Sequence, residues 1–75
     1  MVTRHRALKT FGLNVRRTRE SRKLTQEKLA EKAQLDPTYI SGIERGVRNP
    51  SVLSILRIAK ALEIGAGKLW EGVEA

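Results

Sequence analysis

A polar stripe in the middle of the chain carries the side chains best suited to bind a ligand. At about 100° per residue along a helix, one side holds Thr38, Ser41, Gly42 and Arg45, with Tyr39 on its flank. The stripe has no large aliphatic residue, so a helix that carries it can lie close to a partner. The major groove of DNA admits such a helix and offers hydrogen-bond partners on its base edges. The stripe therefore favours contact with a nucleic acid, although Tyr39 could instead cover the edge of a core.

Further basic and polar groups lie next to this stripe. Arg48 and Asn49 follow within four residues of Arg45. The arginines could be solvated loop charges, but their position after the stripe favours contacts with phosphate or guanine. Arg16, from the basic first part of the chain, is a further candidate for DNA contact.

The positive charge is concentrated in the first third of the chain. The 75 residues contain 15 Lys and Arg against 8 Asp and Glu, a formal net charge of +7. Residues 1–24 hold eight bases and one acid, whereas residues 25–75 hold seven of each sign. Such a cluster is either a solvated face and tail or a footprint for phosphates. We divide the chain into a basic arm, 1–7, and a folded domain, 8–72.

Several classes of function are excluded by what the sequence lacks. It has no Cys and a single His, His5, so we expect no metal site and no cofactor. It offers no nucleophile with a neighbouring base and no paired carboxylates, so we expect no enzyme. No long apolar run or secretory leader is present, which favours a cytoplasmic, nucleoid-associated protein without membrane contact.

The elements that must position the polar stripe are helices. Apolar spacing and capping residues predict an all-α, compact five-helix domain with helices at about 8–22, 26–33, 37–44, 51–62 and 68–71. Thr25, Asp36 and Ser51 are the expected N-caps, and Pro37 suits a first helical position. On the fourth helix, the expected buried residues are Val52, Ile55, Ala59 and Leu62.

The segments 26–30, 40–46 and 48–51 resemble the lambda-repressor/Cro-like helix-turn-helix (XRE) family, with the motif at about 26–45. The resemblance covers about residues 11–70, and the run 35–45 is most similar to controller proteins of restriction–modification systems. It implies a sequence-specific transcriptional regulator, repressor or activator, that binds a palindromic double-stranded DNA operator as a homodimer. The alternative is the antitoxin of a toxin–antitoxin pair, which acts through protein contacts as well as DNA.

The resemblance also implies roles for single residues. Gln26 would contact the DNA backbone, the recognition helix would present the polar stripe, and Arg19 would form a structural ion pair with Glu44. Two departures from the family pattern stand out. Gln34 occupies a turn position that is usually Gly because its φ is often positive, and Pro37 replaces a side chain that often contacts bases.

Apolar residues beyond the expected core suggest a dimer interface. Leu53 and Leu56 lie beside the inward stripe of the fourth helix, where they could widen the buried face or contact a second copy. We favour the dimer, because the two-fold symmetry of operators mirrors that of the proteins that bind them. Ile64, Leu69 and Trp70 complete the expected interface, although Trp70 could instead belong to the core.

Two acids on the second helix allow a further contact. Glu27 and Glu31 lie one turn apart, at a position that activating members of the family use to touch RNA polymerase. Lys28 and Lys32 beside them favour plain solvated ion pairs, and this is the interpretation that we adopt.

Overall fold

A computed structural model describes residues 5–75, which fold into four α-helices followed by a short 3-10 helix. The elements are α1 (Arg6–Ser21), α2 (Gln26–Ala33), α3 (Pro37–Glu44), α4 (Val52–Leu62) and the 3-10 helix Ala66–Trp70. The all-α class was predicted correctly, but the expected fifth α-helix is a 3-10 helix. This segment is only five residues long, too short for a stable α-helical ladder. None of the helices within residues 5–75 is both long and apolar enough to cross a membrane.

The three predicted N-caps begin their helices as expected. The side-chain oxygens of Thr25, Asp36 and Ser51 accept hydrogen bonds from amides two or three residues further on, at 3.0, 2.7 and 3.0 Å. Each bond satisfies an amide that has no partner within its helix. The capping residues therefore determine where α2, α3 and α4 start.

The first helix starts earlier than its apolar pattern indicated. His5 is its N-cap, and its ring Nδ1 accepts a hydrogen bond from the amide of Ala7 at 3.1 Å. Arg6 and Ala7 belong to the predicted basic arm but are helical in the structure. Residues 1–4, including Arg4, lie outside the described residues.

One apolar core joins all five elements, and α3 packs against both α1 and α2. Its buried members are Phe11, Val15, Leu29, Ala30, Ala33, Ile40, Ile43, Ile55, Ile58, Ala59, Leu62 and Leu69. The prediction for Val52 was wrong, because this residue is 74% exposed at the first position of α4. Ile58, which the prediction omitted, is fully buried one turn after Ile55.

The close approach of α1 to α3 depends on a glycine that neither the helical periodicity nor the family resemblance indicated. Gly12 is buried, and a Cβ at this position would overlap the backbone carbonyl oxygens of Ile43 and Glu44. Only a residue without a side chain lets the two backbones come this close. Gly12 therefore sets the position of the C-terminal end of α3.

The turn between α2 and α3 has the conformation that the family resemblance implied. Gln34 adopts φ 58° and ψ 45°, in the left-handed region. The amide of Leu35 donates to the carbonyl of Ala30 at 2.9 Å, which closes the end of α2. Lys23 and Glu63 also have positive φ, at 59° and 60°.

Candidate nucleic-acid interface

The outer face of α3 presents the predicted polar stripe to solvent. Thr38 and Arg45 are exposed and Ser41 is half-buried, whereas Ile40, Ile43 and Glu44 on the opposite side are buried. Spacings of three and four residues place the three polar side chains on one face of the helix. We call Thr38, Ser41, Arg45 and the neighbouring Arg48 the recognition face.

The loop after α3 supplies the rest of the candidate contacts. Arg48 and Asn49 are both exposed there. Gly42, which we had assigned to the outer stripe, is instead buried. A Cβ on Gly42 would overlap Cγ of Arg48 and lie 3.4 Å from Cδ and Nε. The side chain of Arg48 thus covers Gly42, and Arg48 is the group exposed at this point of the face.

Tyr39 joins the recognition helix to the start of α4. The side chain is half-buried against the core, and its hydroxyl oxygen accepts a hydrogen bond from the amide of Ser51 at 3.2 Å. Burial acts to raise the pKa of the phenol, but hydrogen bonds with Ser54 and Ser51 and the charge of Arg48 together lower it below its ordinary value. Without DNA, the side chain of Tyr39 therefore covers the edge of the core. Its hydroxyl group lies at the border of the recognition face.

A buried ion pair holds the far end of α3. Nε and Nη2 of Arg19 lie 2.7 and 3.1 Å from the two carboxylate oxygens of Glu44. These side chains are only 11% and 2% exposed, and Nη1 of Arg19 also donates to the carbonyl of Leu24 at 2.7 Å. The hydrogen bond to Glu44 raises the pKa of Arg19, against the opposing effect of burial. The pair is the structural one that the resemblance implied.

Gln26 belongs to the same cluster. Its Nε2 donates to Oε1 of Glu44 at 2.9 Å, so one of the two amide N–H groups is engaged inside the protein and the second remains for a ligand. Gln26 and Thr25 at the start of α2 border a groove whose other wall includes Thr38 and Ser41 of α3. The positive end of the α2 dipole favours an anion such as phosphate at this groove, and the carboxylate of Glu27, which also lines it, opposes one.

Other predicted residues lie on helices other than α3. Arg16 is on α1, exposed, with its Nε 3.3 Å from Glu20. On α2, Nζ of Lys28 is 3.1 Å from Glu31, and both side chains are more than half exposed. The latter contact is a solvated surface pair of the kind that the charge pattern favoured.

The residues predicted to form the dimer interface differ in their exposure to solvent. Leu53, Leu56 and Trp70 are 58%, 51% and 48% exposed, and Ile64 is half-buried against the core. Leu69 is fully buried, so its assignment to the interface is corrected. In a 3-10 helix, adjacent residues point in different directions, and Leu69 faces the core while about half of Trp70 remains exposed.

Trp70 is held in place through α1. Its ring packs against Phe11 with the ring centroids 4.9 Å apart. Nδ2 of Asn14 donates to the carbonyls of Leu69 and Glu71 at 3.0 and 2.8 Å. These contacts fix the 3-10 helix against α1 and leave half of the indole surface open.

Comparison with known proteins agrees with this geometry. The helix-turn-helix family matches residues 15–69. Control protein C.BamHI of Bacillus amyloliquefaciens is 51% identical over 55 residues, which are 72% of this chain and 68% of that protein. The crystal structure of the restriction–modification controller protein C.AhdI from Aeromonas hydrophila superposes with a TM-score of 0.86 at 42% identity, covering 87% of this chain and 98% of that one.

A second solved structure is the tetramer of the controller protein C.Esp1396I in complex with its natural 35 base-pair operator. It superposes with a TM-score of 0.82 at 38% identity, covering 92% of this chain and 91% of that one. The chain therefore belongs to the helix-turn-helix family. Within that family it is a transcriptional regulator homologous to the controller proteins of restriction–modification systems.

Proposed function

We propose that the chain is the controller protein of a restriction–modification system. As a homodimer, it binds a two-fold symmetric DNA operator upstream of its own gene and regulates that gene together with the gene of the endonuclease. Its place of action is the nucleoid, in the cytoplasm. Support comes from the relatives, which include C.BamHI and the operator-bound C.Esp1396I.

The observation that carries the proposal is the chemistry of the recognition face. Hydroxyl groups of Thr38 and Ser41 and the guanidinium of Arg45 lie on one exposed side of α3. The only acid of this helix, Glu44, is buried and paired with Arg19. The exposed side therefore offers donors to base edges and phosphates with no carboxylate of α3 to repel the DNA.

Affinity and specificity come from different parts of the chain. The recognition face lies in residues 25–75, which carry no net charge, whereas residues 1–24 carry the whole surplus of +7. Base contacts discriminate between sequences, while phosphate contacts act on every sequence and weaken as salt rises. We assign specificity to the recognition face and most of the salt dependence to the basic first part of the chain.

Exposed apolar side chains support the homodimer. Val52, Leu53 and Leu56 near the start of α4 are each more than half exposed. The half-exposed Trp70 follows in the 3-10 helix that packs against α4. Leu53 and Leu56 lie one turn apart on α4, and exposed apolar side chains that adjoin one another are typical of protein interfaces. The interface assigned here consists of Leu53, Leu56 and Trp70, with Val52 added and Ile64 at its edge.

A footprint on the DNA directly upstream of the gene tests the proposal. Two protected half-sites about one helical turn apart, roughly 34 Å, are expected from a dimer with one α3 in each major groove. Arg45→Ala should lower the affinity for this DNA. The matched control is Arg57→Ala, because Arg57 is an exposed arginine of α4 that borders Lys32 and Gln34 rather than the recognition face. Equal affinity for upstream and unrelated DNA would refute the proposal.

Contact with RNA polymerase through α2 is a separate matter. Glu31 is already paired with Lys28 in solvent, and we propose that Glu27 is a solvated residue too. Glu27→Lys should then leave transcription from the regulated promoter intact when the operator is saturated, while its positive charge beside the groove of α2 and α3 strengthens binding to every DNA. Lost activation on a saturated operator would show instead that α2 contacts the polymerase.

A further inference from the structure

Gly42 and Arg48 form a contact that joins the recognition helix to the loop after it. Gly42 is buried within α3 although it lies between the outward-facing Ser41 and Arg45 in sequence. The atoms that would meet a Cβ at this position are Cγ, Cδ and Nε of Arg48. The aliphatic part of Arg48 thus lies flat on the bare backbone of Gly42.

The turn that ends α3 brings the arginine to this position. Gly46 has φ 76°, in the left-handed region, and its amide donates to the carbonyl of Ile43 at 3.0 Å. The amide of Val47 donates to the carbonyl of Gly42 at 2.9 Å. This pair of hydrogen bonds is a Schellman motif, which folds the chain back over the last turn of its helix. Arg48, the next residue, is therefore directed at Gly42.

We propose that Gly42 is a positioning residue for Arg48. We call the contact of the Arg48 side chain with the backbone of Gly42 the seat, and we infer that this contact makes Arg48 a determinant of operator specificity. The inference rests on the proposed function of the recognition face. A free arginine side chain has many rotamers, and ordering it on the DNA costs entropy. An arginine already laid across the recognition helix loses less, and its planar guanidinium reaches the bases in a defined orientation.

The seat predicts a non-additive pair of substitutions. Arg48→Ala should lower the preference for operator over unrelated DNA by about tenfold or more, the size of one good side-chain contact with a base. Gly42→Ala should lose much of the same preference, because the new methyl group must displace Arg48. In the double variant, Gly42→Ala should add less than about twofold to the effect of Arg48→Ala.

The control for the glycine substitution is Gly65→Ala. No atom lies within 4 Å of a Cβ built on Gly65, so this change should leave the preference within about twofold of the wild type. Thermal unfolding of each variant accompanies the binding assays. Equal losses from Gly42→Ala with and without Arg48 would overturn the proposal, because Gly42 would then act through direct approach to DNA.

A measurement without DNA separates the seat from the proposed function. Relaxation of ¹⁵Nε in Arg48 should give a high order parameter in the wild type and a lower one in Gly42→Ala. Equal mobility in both proteins refutes the seat even if the operator is bound. If Arg48 is rigid but the protein binds all DNA sequences equally, the contact of Arg48 with Gly42 is supported. The proposed function, and the role of Arg48 in specificity that depends on it, would then fail.

Discussion

Arg19 and Glu44 are 25 positions apart in sequence and form a two-pronged ion pair with N–O distances of 2.7 and 3.1 Å. The carboxylate is almost completely buried, and Gln26 donates a third hydrogen bond to it. The pair connects α1 to the C-terminal end of α3, while Gln26 connects the start of α2 to the same carboxylate. Three helices, among them the two that border the candidate interface, therefore meet at one buried charge.

Removal of one partner should destabilise the fold strongly. Arg19→Ala would leave Glu44 charged and buried, at a cost of about 3–5 kcal/mol in the free energy of unfolding. Gln26→Ala should cost about 1.5–3 kcal/mol, because it removes a single hydrogen bond to a charged group. Arg16→Ala is the matched control, since its exposed pair with Glu20 is worth only about 0.3–0.5 kcal/mol. Urea unfolding measures all three, and similar losses for Arg19→Ala and Arg16→Ala would contradict the burial argument.

Gly12→Ala should be destabilising although Ala is the better helix former. The usual gain is about 1 kcal/mol in a helix interior, but the added methyl group would overlap backbone carbonyls of α3. Such overpacking costs about 1–3 kcal/mol or more and should shift α3. Gly67→Ala, where no atom lies within 4 Å of the new Cβ, is the control. Thermal unfolding should show a lower midpoint than the wild type for Gly12→Ala and an unchanged midpoint for Gly67→Ala. A higher midpoint for Gly12→Ala would mean that α1 and α3 lie further apart than described.

Gln34→Gly and Glu63→Gly should each stabilise the protein slightly. Both residues end a helix at positive φ, 58° and 60°, a conformation that costs a residue with a side chain about 1–2 kcal/mol. Glycine avoids this cost but loses about 0.5–1 kcal/mol of chain entropy on folding. The net gain in the free energy of unfolding should be about 0–1.5 kcal/mol, measured by urea unfolding. Arg57→Gly, at an exposed position in the interior of α4, should instead lose about 1 kcal/mol. A loss of that size for Gln34→Gly would contradict the proposed backbone strain at Gln34.

Leu53→Glu should abolish dimer formation. The substitution places a charge in the exposed apolar group on α4, where an interface would exclude water from it. Leu13→Glu, on the exposed side of α1, is the matched control and should leave association unchanged. Sedimentation equilibrium at micromolar concentration measures both. A wild-type protein that stays monomeric well above that range, or a dimer that tolerates Leu53→Glu, would rule out the interface.

Deletion of residues 1–4 should weaken DNA binding similarly for all sequences. The deletion removes Arg4 but keeps His5, which caps α1. If Arg4 contacts one phosphate, the slope of log affinity against log salt should become shallower by about 1. Titrations at several salt concentrations, with operator and unrelated DNA, provide the measurement. A change in the preferred operator would show that this segment reads bases in the minor groove.

The local features of the fold could be predicted from sequence because their causes are local. Thr25, Asp36 and Ser51 cap helices through atoms only two or three residues away. The observed bounds of α2 and α3 equal the predicted ones. Helical periodicity likewise placed Ile40 and Ile43 in the core, since both lie on the side of α3 opposite the polar stripe.

Contacts between distant segments were decided by the tertiary structure. Periodicity defines the sides of a helix but not which neighbour covers each turn, so Val52 was placed in the core and Ile58 was omitted. The same limit applies to Leu69, which is buried although it was expected to face a second subunit. The pair of Arg19 with Glu44 came from family resemblance, because no local spacing relates residues so far apart.

The candidate site shows the same division. The sequence by itself determined which side of α3 is polar, and it placed Arg45 at the end of that side and Arg48 in the loop that follows. Only the folded chain decided that Gly42 lies beneath Arg48 and that Gly12 lets α1 touch α3. The physical reason is that both glycines matter because they have no Cβ where another segment comes close. The turn after α3 brings Arg48 to Gly42, and the packing of α1 brings Gly12 to α3, so neither contact can be derived from local sequence.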